Sequence, residues 1–304
     1  IDRLEGFRIR GESTAWPRIV SGDLFFRVAE DLADYGSAAR PAIPTLTHLL
    51  EEVVETEYWR NRSSSIAHAL GRIGPEARPA IPGLIALMKD QPSARSSAAG
   101  AIARIGGPGA QEVVPIFVEW LRSRDEAIRI VAADALWRIE RRTDLVLPVL
   151  IELLQPGTPS IFQALTTIGA MGDEARAAIP AVAACLDVED DSTDGRWLRL
   201  SAAVALWRVE RRVDQVFPVL IGMLDQPRPL ASSMIRKAAQ TLGEMGAEAR
   251  AAVPLLLRAT AGDLRSTGGQ YLTSSRDIRD DDALLATVID AVRRIESHSD
   301  APES

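Results

Sequence analysis

The stretch GRIGPEARPAIP, Gly71 to Pro82, sets two glycines and three prolines into twelve residues of an otherwise helical pattern. Nearly the same text returns as GAMGDEARAAIP (169–180) and GEMGAEARAAVP (243–254). A phosphate-cradling loop needs Gly-Lys-Ser/Thr opening a helix after a strand. Here no lysine follows Gly74, and the flanking segments carry a helical pattern. The stretch reads instead as a glycine that stops one helix and a proline that starts the next. It is a corner, and its recurrence decides the fold.

Aligned on the last proline of the corner, Pro44, Pro82, Pro115, Pro148, Pro180, Pro218 and Pro254 fall at intervals of 38, 33, 33, 32, 38 and 36 residues. A period of thirty-odd residues denotes an array of supersecondary units. Positions one, two, five and six beyond each proline are mostly apolar, as in Val149, Leu150, Leu153 and Leu154. That spacing is one stripe of a helix, with the proline in its first turn. An alanine-rich helix precedes it, as in SSSIAHALGRIG (63–74), AIRIVAADALWRIE (127–140) and LRLSAAVALWRVE (198–210). Each hairpin leaves an apolar face that only a neighbouring hairpin can cover. The predicted fold is therefore all-α, a right-handed α-solenoid of about seven helical hairpins closed by a C-terminal helix. The expected boundaries are an N-terminal extension over 1–19, seven repeats over 20–263, a loop insertion over 264–280, a capping helix over 281–297 and a tail over 298–304. The insertion reads equally as a binding loop or a flexible link.

The pattern Ala-Leu-Gly-x-Ile-Gly at Ala69–Gly74 has relatives at Thr167–Gly172 and Thr241–Gly246, and Ala-x-Pro-x-Leu stands at Ala80–Leu84 with relatives at Ala42–Leu46 and Ala178–Val182. On these residues the chain resembles the HEAT repeat family, in particular its short, phycocyanobilin-lyase-like class. The resemblance implies a non-catalytic scaffold or adaptor that binds a partner protein along one face. It also implies two alternatives: a bilin-lyase-type enzyme or subunit handling a tetrapyrrole, and a HEAT-like DNA-binding or repair protein. It assigns structural roles to the corner residues Gly74, Arg78 and Pro82, Gly172, Arg176 and Pro180, and Gly246, Arg250 and Pro254. Their arginines, with Arg40, are expected to bond from one repeat to the next.

Two corners are rewritten. LWRIERRTDLVLP (136–148) and LWRVERRVDQVFP (206–218) put Trp137 and Trp207 where Gly71, Gly169 and Gly243 stand elsewhere. Without the glycine stop the first helix is expected to run on, and Asp144 and Asp214 to cap the next one. One repeat separates the two corners, so their ridges are expected about 20 Å apart at roughly 8–10 Å per helix layer. Tryptophan and arginine are enriched at binding hot spots. The candidate partner-binding residues are accordingly Trp137, Arg138, Arg141, Arg142, Trp207, Arg208, Arg211 and Arg212. In the competing reading each indole fills space between layers, and the arginines are solvated or paired with Glu140 and Glu210. Under the first reading, Trp207→Ala with Arg211→Ala weakens partner capture and leaves the melting temperature nearly unchanged.

Composition narrows the chemistry. Net charge is −7, with 19 basic against 20 acidic residues in 1–150 and 16 against 22 in the rest. Phosphate neutralisation drives polyanion binding, so nucleic acid ranks low among partners. Histidine occurs only at 48, 68 and 298, never as His-Glu, whereas HEAT-repeat deoxyhypusine hydroxylases bind iron through such pairs. No Cys/His cluster or nucleophile–histidine arrangement can be argued. No catalytic residue, metal site, cofactor or small-molecule ligand is indicated. The acidic stretch DVEDDSTDG (187–195) imitates a calcium loop, but its twelfth position from Asp190 is Ser201 and not glutamate. It reads as a solvated loop capping the helix from Arg196. Trp120 and Cys185 sit at apolar positions of the repeat and are expected in the core. No apolar run reaches the roughly 18 residues of a membrane span. A lone cysteine fits a reducing compartment, and a cytoplasmic location is the expectation.

Overall fold

The computed structural model describes residues 32, 34–55, 63–155, 157–225, 232–258 and 275–297; the expected extension 1–19, the tail 298–304 and residues 264–274 of the insertion lie outside them. The described residues are all helix and turn, without strands. The chain divides into two compact units, Ile1–Val114 and Pro115–Ser304.

In the first unit, α1 (Ile43–Glu55), α2 (Ser63–Ile73), α3 (Ile81–Asp90) and α4 (Arg95–Ile105) form stacked hairpins. Helix α1 packs on α2 and α3, and α4 packs on both α2 and α3. The corner between α2 and α3 is a 3-10 turn, Pro75–Ala80, whose Ala77 and Ala80 are fully buried. Gly74 opens it at φ 87°, ψ −145°, a backbone region essentially closed to side chains. Gly71 does a different job. A Cβ there would lie 2.8 Å from the Ala101 Cα, so its absence lets α2 and α4 touch backbone to backbone.

The second unit runs α5 (Val114–Trp120, from its second residue), α6 (Glu126–Glu140), α7 (Thr143–Glu152), α8 (Ile161–Met171) and α9 (Ile179–Ala184). It continues with α10 (Thr193–Glu210), α11 (Val213–Leu224), α12 (Ser232–Met245), α13 (residues 253–258) and α14 (Ser275–Ser297). Glycine corners recur at Gly172 (φ 62°) and Gly246 (φ 65°), each opening a 3-10 turn. Helix α14 begins six residues before the expected 281, lies along α12 and buries Leu284, Val288, Ala291 and Ile295.

All seven aligned prolines lie in helices. Pro44, Pro82, Pro115, Pro180 and Pro254 stand at the second helical position, as the corner pattern predicts. Pro148 and Pro218 do not: each is the sixth residue of its helix. At the rewritten corners the 3-10 turn is replaced by a helical turn added before the proline, at the cost of one internal hydrogen bond.

Trp120 is half-buried, edge-on to Phe117 at 5.7 Å, and so only partly in the core where the repeat pattern puts it. Cys185 is buried, and burial pushes its thiol above the ordinary range.

Candidate partner-binding site

The rewritten corners end their first helix without glycine. Arg141 (φ 54°, ψ 37°) and Arg211 (φ 56°, ψ 30°) adopt the left-handed conformation one residue beyond α6 and α10. This region admits an L-residue at a cost of roughly 1–2 kcal/mol, unlike the region Gly74 occupies. Each arginine then folds back over the tryptophan four residues earlier, Arg141 at 4.1 Å and Arg211 at 5.0 Å from the ring centroid. The tryptophan and the arginine are thus parts of one cap, in which a cation–π contact offsets part of the backbone cost.

The indoles themselves are inside. Trp137 is 3% and Trp207 4% exposed, so neither supplies contact surface. The exposed ridge expected from the sequence is made of arginines laid over buried tryptophans. With Trp207 buried, the Trp207→Ala, Arg211→Ala variant is expected to lower the melting temperature, and not to leave it nearly unchanged. Asp144 and Asp214 do not stand at the N-cap positions, which belong to Arg142 and Arg212. Instead Arg142 donates to both Asp144 oxygens at 3.0 and 3.1 Å, and Arg212 to Asp214 at 3.5 and 3.2 Å. These bonds hold both carboxyls below the ordinary aspartate range. Arg142 and Arg212 also lie 3.9 Å from Glu140 and Glu210, the pairing the competing reading anticipates.

Replacing glycine with tryptophan changes the spacing of the helices. The glycine positions face small residues closely: a Cβ at Gly169 would meet Ala205 Cα at 3.3 Å, and one at Gly243 would meet Ala291 Cα at 3.0 Å. There α8 and α10, and α12 and α14, pack along much of their length. The tryptophan-bearing pairs, α6 with α8 and α10 with α12, touch sparsely. The indole acts as a wedge, and polar side chains fill the gap it leaves.

Between α6 and α8 that filling is self-contained. Asp134, 9% exposed, accepts from Arg138 Nε at 2.8 Å and from Thr167 Oγ1 at 3.3 Å. Between α10 and α12 the position of Asp134 is held by Val204, so Arg208 has no acid on its own helix face. It reaches Glu244 on α12 at 3.5 Å. Position 163, a glutamine on α8, becomes Lys237 on α12, and Phe162 becomes Arg236. Lys237 donates to Ser201 Oγ at 3.2 Å and sits 5.7 Å from the Trp197 ring. Burial, and after it the charge of Arg208, hold its ammonium below the ordinary lysine range. A cavity of about 340 Å³ opens here, lined by Val204, Arg208, Arg236, Lys237 and Gln240 among others. A second, of about 530 Å³, shares Arg208 and is lined by Gly169, Gly172, Arg211 and Glu244. Sequence reading missed Val204, Arg236 and Lys237. Laying the two tryptophan repeats over each other shows the signal, the exchange of Asp134 for Val204.

At the glycine corners, Arg78 lies against the next corner, with its Nε 2.9 Å from where a Cβ on Gly107 would stand. Arg176 and Arg250 are exposed and have no bond to a neighbouring repeat among the described residues. A corner-to-corner bond in the second unit comes instead from Thr143 Oγ1, which donates to Glu174 at 2.8 Å.

The calcium-like stretch is stapled by its own chain. Asp190 accepts from Ser192 N at 2.8 Å and Oγ at 2.7 Å, and Arg199 donates to the Val188 and Asp190 carbonyls at 2.7 and 2.9 Å. Ser192, a residue of this loop, caps the helix by accepting from Gly195 N at 3.1 Å, and the helix starts at Thr193, three residues before the expected Arg196. A Cβ at Gly195 would lie 2.1 Å from the Asp190 carbonyl oxygen, which accounts for the glycine in the motif. Among the described residues no group of His, Cys, Asp and Glu is placed to hold a metal ion, and no helix is long and apolar enough to cross a membrane.

Comparison with known proteins agrees with this architecture. Residues 81–165 match the family described as HEAT repeats. No curated protein matches the chain. Among solved structures, importin β is similar at a TM-score of 0.53 and 13% identity, over 91% of this chain and 42% of that one. The complex of CpcE and CpcF of phycocyanin lyase from Nostoc sp. PCC7120 aligns at a TM-score of 0.45 and 19% identity, over 93% and 99% of the two chains. Human deoxyhypusine hydroxylase aligns at a TM-score of 0.33 and 17% identity, over 89% and 99%. The proline-marked period and the stacked hairpins give the chain an all-α fold of HEAT-like helical hairpins, within which residues 81–165 match the HEAT repeat family.

Proposed function

We propose that this chain is a non-catalytic scaffold or adaptor that binds a partner protein through the arginines of its two rewritten corners. One observation carries the reading. Arg141 and Arg211 are held over buried tryptophans in a left-handed backbone conformation, beside Arg138, Arg142, Arg208 and Arg212. A guanidinium fixed in place loses little freedom on binding, and arginine is favoured at interface hot spots. The tryptophans serve as the floor on which those arginines are set.

The test is affinity capture from the source organism with the wild-type chain and with an Arg141→Gln, Arg211→Gln variant side by side. The variant keeps the buried indoles, so its helicity and melting curve stay close to wild type. The expected result is a protein captured by wild type and lost with the variant. An identical captured set with both chains would sink the reading.

A further inference from the structure

We propose that the groove between α10 and α12 is a carboxylate-binding site that takes the Asp or Glu side chains of an acidic peptide segment. The proposal rests on the partner-binding reading above and names the chemistry of the partner.

The charge balance of the groove points this way. Arg208, Arg211, Arg236 and Lys237 line two cavities that share Arg208, against a single carboxylate, Glu244. Arg236 has no ion pair or hydrogen bond among the described residues, and Lys237 spends one donor on Ser201. Two further donors of the ammonium lack an acceptor on the protein. A partly buried ammonium without a carboxylate is an unfavourable arrangement that an arriving anion relieves. The corresponding gap between α6 and α8 holds Asp134 in place, and its Arg138 is already taken. The α10/α12 groove is that same gap with its acid removed and two cations added.

Peptide carboxylates fit better than a discrete small anion or a nucleic acid. Arg208 lines both cavities, about 340 and 530 Å³, with Arg236 and Lys237 in the first and Arg211 in the second, so the cations lead from one to the other and do not stand around one point. An extended segment places successive acidic side chains on such a path. Glu244 on that path disfavours a doubly charged phosphate more than a single carboxylate, and the chain as a whole carries net charge −7.

The test is a titration of the full chain with a fluorescein-labelled hexaglutamate peptide, with hexaglutamine as control, at low and physiological salt. The expected result is saturable, salt-sensitive binding of hexaglutamate and none of hexaglutamine. Lys237→Met, which keeps an apolar stem beside Trp197, and Arg236→Gln should each weaken it about tenfold or more. Lys89→Gln, an exposed change on α3 of the first unit, should leave it unchanged. Gln240→Glu, an exposed change in the groove wall that does not threaten folding, should also weaken it. The proposal is overturned if both peptides bind alike, if hexaglutamate fails to bind at low salt, or if the groove variants bind as wild type does. It is overturned equally if a phosphoserine peptide or single-stranded DNA of equal length displaces hexaglutamate at lower concentration. Loss of partner capture in the Arg141→Gln, Arg211→Gln variant without hexaglutamate binding would sink this proposal alone. Lys237-dependent hexaglutamate binding with partner capture unaffected by that variant would sink the ridge reading alone.

Discussion

The α6/α8 and α10/α12 interfaces begin from the same change, a tryptophan where the other repeats keep a glycine, and end as chemical opposites. Both are wedged apart by a buried indole, and both end their first helix on a left-handed arginine stacked over that indole. In the first, Asp134 gathers Arg138 and Thr167 and closes the gap. In the second, Val204 leaves Arg208 to reach across to Glu244, Thr241 turns back to the Lys237 carbonyl, and Lys237 enters the groove. The acid at position 134, lost as Val204, and the cations Arg236 and Lys237, gained where α8 has Phe162 and Gln163, separate a structural joint from a charged groove. The lesson is that opening a repeat array and making the opening useful are separate steps. The wedge supplies room, and the residue three positions before it, with the side chains facing it from the next first helix, sets the charge.

The wedge is the part whose removal costs most. Trp137→Ala and Trp207→Ala are each expected to destabilise the second unit by about 3–5 kcal/mol, since a large buried ring leaves a cavity that fixed helices cannot fill. Urea unfolding followed by circular dichroism measures this. A loss under about 1 kcal/mol at either site would mean the indoles do not hold the gaps open.

Closure of the first gap is the next largest effect. Asp134→Ala strips Arg138 and Thr167 of their shared acceptor and should cost about 2 kcal/mol, while Val204→Ala removes only part of a side chain and should cost about 1 kcal/mol. Equal losses would erase the distinction between the two interfaces.

The glycine interfaces sharpen the contrast from the other side. Gly71→Ala forces a methyl group to within 2.8 Å of the Ala101 Cα, whereas at Gly169 the nearest backbone atom, Ala205 Cα, is 3.3 Å away. The first should cost about 1–3 kcal/mol and the second less. The order is read from melting temperatures, and a reversed order contradicts the close-approach account.

The smallest effect is one of pH. Arg142 and Arg212 depress the carboxyls of Asp144 and Asp214 in the folded chain. Depressed carboxyls contribute stability above the ordinary aspartate range and lose it as pH falls through the lower, folded value. Below about pH 5 the melting temperature of wild type should therefore fall slightly more steeply than that of an Arg142→Gln, Arg212→Gln variant. Parallel curves would show these exposed pairs to be without consequence, as many surface ion pairs are.

Much of this was legible in the sequence because it depends on local rules. The proline period, the alanine-rich first helices and the glycine stops each follow from backbone sterics within one hairpin, and they lead to the stacked all-α architecture. The distinctness of WRIERRTDLVLP and WRVERRVDQVFP was legible too. Which way their tryptophans face was not, because it depends on the distance to a helix in the next repeat. That distance depends in turn on whether glycine or tryptophan stands between them. The prolines of these corners misled for a related reason: a left-handed arginine lets the next helix start early and draws Pro148 and Pro218 inside it. Lys237 is one of only two lysines in the chain, and nothing in its own repeat marks it. Its meaning comes from Val204 on the preceding first helix.

Position 204 is therefore where the two interfaces can be made alike by one substitution. Val204→Asp restores to the second interface the acid that closes the first, beside Arg208 and at the wall of the cavity. Hexaglutamate binding measured for this variant and for wild type tests the claim directly. The Val204→Asp chain should fold, draw Arg208 to the new carboxylate and bind hexaglutamate at least about tenfold more weakly. A Val204→Asp chain that folds and binds hexaglutamate as tightly as wild type would contradict it.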